Sequence, residues 1–440
     1  MSKHIVCLIC LLLIVAAPAF GADPPPEAPL TLDEAVATAL ANNPAILKAV
    51  ANLGSRQENR RAVRGESLPR LATSYSYASL SDSPYGIFNG EKVAVGARDN
   101  FAWDLTLTQP LFTGFALSAK KRMAELGIES GEVERQLAVL ELTAQVRLAY
   151  YRIFRQKQML KVRDETVAQL AAHVEDARHF YAQGLIPYND LLKSQVALSN
   201  AEQARLQSRS DLEMAVARLN TLLRLPLDRP TEITELKPAP GTIPDFAPLV
   251  AEAEANRPEM HALQLALEKS MQQARLAKSA FFPQVDLEGR YARSGDDPGA
   301  TTNDYANDHE ASIGVKATWT LFDWGRTRAQ VNNQLHEHEA LAQQLEQTRD
   351  DVRLQVKQSW LHLKVAQANI KTAESAQDQA EENFRITRLQ YQKSLATSSD
   401  VLDARGLLSE AEGNSCNAAY GYLSAQAELE RAVGHGVKQQ

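Results

Sequence analysis

Cysteine is nearly missing. The chain of 440 residues holds 3, and only Cys416 lies beyond the first ten. With Cys7 and Cys10 inside what reads as a removable leader, the remaining chain can form no intrachain disulfide and offers no paired thiolates to a metal. Long apolar runs are missing too. After the leader no stretch reaches the ~18 apolar residues of a spanning helix, which excludes a helical membrane protein. A β-barrel stays open, because strands that alternate apolar and polar residues barely raise mean hydropathy. Positive charge is not in excess either. The formal net charge is −7, which argues against nucleic acid, whose binding needs a basic footprint. Catalytic signatures are also lacking: there is no phosphate loop and no Gly-x-Ser-x-Gly. His336-Glu337-His338 has the wrong spacing for a His-Glu-x-x-His zinc site, which needs both imidazoles on one helical face. It reads as a solvated face. We therefore assign no catalytic residue, cofactor or metal ligand, and set the enzymatic reading aside.

The first residues read as an address. Lys3 supplies a positive charge, residues 5–15 are apolar, and Ala19 and Gly21 fit a small-residue cleavage site before Ala22. These are the three parts of a secretory signal peptide, expected over 1–21. The alternative is a short N-terminal anchor. Neither leader cysteine stands where a lipidated cysteine must.

The remainder is a repeat of very long period. Ala-Asn-Asn-Pro with Pro44, then Leu-Pro-Arg with Pro69, return as Ala-Asn-Arg-Pro with Pro258 and Phe-Pro-Gln with Pro283, both moved by 214 positions (258 − 44 and 283 − 69). Pro110-Leu111-Phe112 with Gly114 matches Thr320-Leu321-Phe322 with Gly325. Tyr181, Asp190 and Leu192 match Tyr391, Asp400 and Leu402, all at a shift of 210 (391 − 181). Compositional bias cannot place prolines and aromatics in such order. The expected organisation is a first repeat over 22–224, a Pro-rich linker over 225–245 (Pro226, Pro230, Pro238, Pro240 and Pro244), a second repeat over 246–434 and a tail over 435–440.

Each copy reads as helix, strand, strand, long helix, turn, helix. Thr31 and Glu34 look like a capping box, and helical periodicity then runs to about Gly65. Period-two alternation predicts strands over about 69–79 and 99–112, repeated over about 282–293 and 309–322. A soluble sheet gives the same pattern. Three features favour a membrane barrel instead: strands of about ten residues; the aromatics Tyr75, Phe101, Trp103, Tyr291 and Trp319, which read as membrane-facing and cluster near strand ends; and an opposite face that is small, polar or charged. Breaker-free helices follow over about 115–182 and 326–391, each ~100 Å long at 1.5 Å per residue, and then shorter helices over about 188–224 and 399–433. Helices of that length with little apolar surface must pack laterally. The fold class is thus mixed and mainly α.

Four strands cannot close, and open edges are forbidden in lipid. Two copies would give a barrel of 8, largely filled by its own side chains. Three would give 12, with room for a lumen.

The duplicated order, the opening Leu-Thr-Leu-Asp-Glu-Ala (30–35), Asn43-Pro44 with Arg257-Pro258, Gln109-Pro110-Leu111-Phe112, and above all the segments Tyr181-Ala-Gln-Gly184-Leu185 and Asp400-Val401-Leu402-Asp403-Ala404 resemble the TolC-like outer-membrane factor family. The resemblance spans nearly all of the chain after the leader. It implies a homotrimer in the outer membrane of a Gram-negative bacterium, with a 12-stranded barrel in outer-membrane lipid continued by a periplasmic helical barrel. It implies partners as well: a periplasmic adaptor (membrane fusion) protein and an inner-membrane transporter of RND or ABC type. By the same resemblance, Asp400 and Asp403 ring the pore constriction, Asp190 and Tyr391 share a gate hydrogen bond, and Gly184, Leu185, Ser394 and Leu395 form adaptor-docking tips. This sequence departs from the family pattern at Ala396, where some members carry Arg, and at Ser394, where Gly is usual. The implied function is the exit duct of a tripartite efflux system. A type I protein-secretion duct is one alternative, and a periplasmic coiled-coil scaffold or adaptor another. Acidic residues in a first helical turn, capped by Ser398 or Ser399, are the plainer account of Asp400 and Asp403. The strand-connecting loops at about 79–99 and 293–308 should lie outside the cell. The second is acidic and reads as solvated.

Overall fold

The computed structural model describes residues 29–236 and 238–435; the expected leader and residues 436–440 lie outside them. Helices α1 (Leu32–Asn42) and α2 (Pro44–Gly65) open the first copy, followed by β1 (Arg70–Ser79), β2 (Tyr85–Phe88), β3 (Glu91–Ala94), β4 (Asp99–Thr113), α3 (Ala116–Ala182) and α4 (Tyr188–Leu223). The second copy runs α5 (Phe246–Asn256), α6 (Pro258–Lys278), β5 (Gln284–Gly295), β6 (His309–Thr318), α7 (Arg326–Gln392) and α8 (Ser398–Val433).

The continuous opening helix read from periodicity is in fact two helices. A residue before proline is pushed out of the α region. Asn43 accordingly has ψ 133°, caps Ala45 N–H at 2.9 Å and donates to the Leu222 carbonyl at 2.9 Å. Arg257, at ψ 122°, stands at the equivalent break, its guanidinium reaching Glu259, Gln355 and the Ala432 carbonyl. The last strand is also shorter than the expected 309–322. Thr318 pairs with Gln284, and Pro283 before it has no N–H to extend the ladder. Trp319 therefore lies just past the strand. It is exposed, and its indole N–H donates to the Phe281 carbonyl at 3.0 Å. The loop at 79–99 holds a small hairpin, β2–β3, turned by Asn89 (φ 49°) and Gly90 (φ 88°).

The main sheet has the order β1-β4-β5-β6, antiparallel throughout. Cross-strand partners share a face. One face carries Leu71, Leu107 and Ile313; Leu105 and Tyr291; Tyr75 and Trp103. The Trp103 and Tyr291 rings meet edge-on at 5.9 Å and Tyr77 stacks on Phe101 at 4.7 Å. The other face carries Thr106, Arg290 and Ser312, with an Arg290–Asp104 ion pair and a Lys316–Glu288 pair at 3.7 Å.

Between sheet and helices the chain turns through two consecutive left-handed residues in each copy: Gly114 and Phe115 (φ 59° and 73°), then Trp324 and Gly325 (φ 57° and 81°). Asp323 holds the second corner, accepting from Thr327 N–H at 2.9 Å. Both long helices have 67 residues, or ~100 Å. Near the sheet α3 is bonded to α2 (Arg56–Glu134, 2.7 Å) and α6 (Arg122–Glu268, 2.7 Å); farther along it meets α8. Midway, α1, α5 and the linker wrap the staves. Tyr150, fully buried, bonds the Leu30 and Thr234 carbonyls at 2.8 and 2.9 Å, and burial pushes its pKa up to about 12.

Gly114 tolerates no side chain. A Cβ there would stand 2.4 Å from the Ser279 carbonyl oxygen. Gly114→Ala should cost about 2 kcal/mol or more in thermal unfolding, whereas Gly127→Ala, in an open part of α3, should gain up to about 1 kcal/mol.

Candidate functional site: the helical tips and the acidic helix start

The two helical hairpins end in the same turn. Leu185 N–H reaches back to the Phe180 carbonyl (2.9 Å) and Gly184 N–H to Tyr181 (2.9 Å); Leu395 and Ser394 repeat this on Gln390 and Tyr391 at 2.8 and 2.9 Å. This double bond pattern puts one residue in the left-handed region, where glycine is at ease. Gly184 takes it at φ 74°, and Ser394 must take it at φ 59°. Leu185 and Leu395 are exposed at the tips, as are Tyr181 and Tyr188.

Beyond the second tip, Thr397 starts α8, not Ser398 or Ser399. Its hydroxyl accepts from Asp400 N–H (3.2 Å), and the Asp400 carboxylate accepts from Thr397 N–H (2.7 Å). Bonded so to Thr397, Asp400 keeps its carboxyl below the usual carboxylate range. Asp403 lies one turn on, and both carboxylates are exposed on the same side of α8. Behind them Val401, Ala404, Arg405 and Leu408 are buried against α7 and α3. Arg405, 1% exposed, pairs with Glu412 at 3.0 Å and donates to Thr166 at 2.5 Å.

The expected bond between Asp190 and Tyr391 is not formed in this chain. Asp190 pairs with Lys193 at 3.4 Å. The Tyr391 hydroxyl is buried and makes no hydrogen bond of ordinary geometry among the described residues. Tyr391 instead packs its ring between His173 (4.8 Å) and Phe180 (5.3 Å). Burial raises its pKa, with the Asp176 and Asp190 carboxylates adding to the shift and the Ser398 hydroxyl opposing it.

Nothing in the spacing marks His173, Ser194 or Arg405, and Ser398 stands out in the sequence only as a candidate helix cap. Their partners lie up to 239 positions away, so no spacing rule connects them. His336 and His338 diverge: His338 meets Ser270 at 2.8 Å and His336 meets Glu339 at 3.5 Å.

The Tyr391 hydroxyl makes no hydrogen bond of ordinary geometry, its approach to Ser398 being the nearest to one, so its removal costs little. Tyr391→Phe should leave stability within about 0.5 kcal/mol or raise it slightly, as read by thermal unfolding. Ser394→Gly should relieve the strained turn by about 1 kcal/mol, seen as slower amide exchange at the second tip.

Comparison with known proteins places these features. The family model for outer membrane efflux proteins matches residues 35–223 and again 249–435, once per copy. The chain is 24% identical to the alkaline protease secretion protein AprF of Pseudomonas aeruginosa, over 90% of this chain and 82% of that protein. It is 21% identical to the outer membrane protein TolC of Escherichia coli, over 89% and 80%. Among solved structures, the outer-membrane channel OprN superposes with a TM-score of 0.79 at 18% identity, covering 92% of this chain and 90% of that one. VceC of Vibrio cholerae superposes at 0.78 with 20% identity, covering 92% and 97%. With its duplicated helix–strand–strand–helix–helix unit matched once in each half, the chain belongs to the outer membrane efflux protein family.

Proposed function

We propose that this protein is the outer-membrane exit duct of a tripartite efflux system. Three copies pass small molecules from periplasm to exterior by passive conduction, through a tunnel gated at its periplasmic end. The observation that carries this reading is the four-stranded sheet, apolar on one face and ion-paired on the other, standing on ~100 Å helices. Its β1 and β6 edges are free in the single chain. Lipid demands that they pair, and copies related by rotation supply the pairing. Three copies give 12 strands and a lumen lined by the Arg290–Asp104 face.

At the other end three Asp400–Asp403 pairs form the constriction, and the exposed tips at Gly184–Leu185 and Ser394–Leu395 receive a periplasmic adaptor. The adaptor in turn joins an inner-membrane transporter of RND or ABC type. We assign the protein no catalytic activity. A protein-secretion duct has one observation in its favour, the similarity to AprF.

Single-channel conductance in planar bilayers tests the reading. The wild type should show small, cation-selective conductance, because a ring of carboxylates favours cations. Asp400→Asn with Asp403→Asn should lower the cation-to-anion preference by about threefold or more. Folded, membrane-inserted protein that conducts nothing would sink the duct.

A further inference from the structure

Three buried polar side chains meet where the two hairpins lie against each other. His173 on α3 is 6% exposed, Ser194 on α4 is 0% and Ser398, the first residue of α8, is 1%. His173 Nε2 lies 2.8 Å from Ser398 Oγ, and Ser194 Oγ lies 2.9 Å from that same oxygen. The Ser194 hydroxyl also donates to the Asp190 carbonyl at 2.9 Å.

Proton counting orders the chain of bonds. Each hydroxyl has one proton to give. Ser194 gives its proton to the Asp190 carbonyl, so Ser398 donates to Ser194, and His173 Nε2–H donates to Ser398. The bridge is thus complete with a neutral imidazole; a second proton, on Nδ1, breaks none of these bonds but places a charge in a site only 6% exposed, and that buried charge is what acid adds. His173 and Ser194 belong to the first copy and Ser398 to the second, so the bridge ties one hairpin to the other beside the bond that Tyr391 does not make. It is no hydrolytic site, since the shared oxygen is enclosed.

We propose that His173, Ser194 and Ser398 form a proton-sensitive latch. Neutral His173 holds the head of α8, which carries Asp400 and Asp403, against the first hairpin; protonated His173 releases it and opens the periplasmic end. The proposal rests on the exit-duct reading above.

The surroundings set the sign. Burial holds the His173 pKa below its ordinary value; Asp176 on α3 favours the charge and Arg388 on α7 opposes it. Tyr391, stacked on the imidazole from α7, is neutral. On α4, Asp190 is paired with Lys193, which also approaches Ser399 of α8 at 3.5 Å, and Asp400 is engaged by Thr397. In the released state the imidazole meets water and takes a proton at its ordinary pKa of about 6.5. The latch is therefore fully favoured above that pH and loses ground as pH falls through it toward the depressed value of the closed state. Acid acting on the carboxylate ring has the opposite effect, since fewer charges mean less cation flow. Asp400 in any case holds its proton only at unusually low pH.

The test is conductance in planar bilayers from about pH 7.5 to about pH 5.5 at fixed salt, across the window in which an imidazole titrates. Wild type is compared with His173→Gln, which keeps an N–H donor without a titration, and with Ser398→Ala. Wild-type conductance should rise about threefold or more on acidification, His173→Gln should stay flat, and Ser398→Ala should already be raised at the upper pH. Amide exchange over 188–194 and 398–405, corrected for its intrinsic pH dependence, is followed on the same samples. It should quicken with acid in wild type and not in His173→Gln. A wild-type pore whose conductance and exchange ignore pH overturns the latch and leaves the duct standing. Inserted protein with no pore overturns the duct, and the exchange profile then decides the latch by itself.

Discussion

An unpaired backbone amide in hydrocarbon costs several kcal/mol, and the β1-β4-β5-β6 sheet presents two edges of them. Much of the architecture follows from that one constraint. The sheet cannot be used alone, so the protein is built to meet copies of itself. Its pleat puts Leu71, Leu105, Leu107 and Ile313 on one face and Asp104, Arg290 and Ser312 on the other. Closure with the apolar face outward encloses the charged one. The Arg290–Asp104 pair then spans neighbouring strands on the wet side, where an exposed ion pair contributes little stability but keeps the lining polar.

Joining such a barrel to a helical tube requires sharp corners. The doubled left-handed residues at 114–115 and 324–325 supply them, and in each pair one residue is a glycine while the other is a large aromatic. The phenyl ring of Phe115 meets Phe112 and Phe282 edge-on at 5.4 and 5.7 Å, so its strained backbone is held by packing. Helices of ~100 Å with so little apolar surface need lateral support. The girdle of α1, α5 and the linker gives it at mid-length, where Tyr150, Phe154, Leu219 and Ile233 form the largest core and Arg147–Glu430 and Arg431–Glu141 tie α3 to α8.

Sequence was most informative where a residue type has few permitted roles. Prolines, glycines and aromatics in repeated order revealed the duplication, and alternation revealed the sheet. Pro44 and Pro258 were visible yet read as interior to a helix, because apolar periodicity continues across a proline at a first helical position. The β2–β3 hairpin carried its signal openly in Asn89-Gly90, and was hidden by its brevity. The interior of the tips was not legible at all. Whether Tyr391 reaches Asp190 depends on how far one hairpin is rotated against another, and serine and histidine are too common in helices to mark a contact across the two copies.

That rotation is where the copies part. Tyr181 and Tyr391 occupy equivalent positions, as do Asp190 and Asp400, yet their environments are exchanged. Tyr181 is 43% exposed and the Asp190 side chain only 19%, whereas Tyr391 is 2% exposed and Asp400 is open to solvent. One hairpin turns its tyrosine outward and its acid toward the packing; the other does the reverse. The helix starts differ to match. Pro187 opens α4 without a side-chain cap, while Thr397 opens α8 and pins Asp400 in place. The long helices differ likewise: α3 buries 21 residues among those described and α7, of equal length, 7. The closing helices run the other way, with 8 buried residues in α4 and 14 in α8. In the proposed trimer α3 and α8 therefore supply the protomer's own interior, α7 presents surface to the neighbour and to the lumen, and the second tip alone carries a fixed, exposed acid pair.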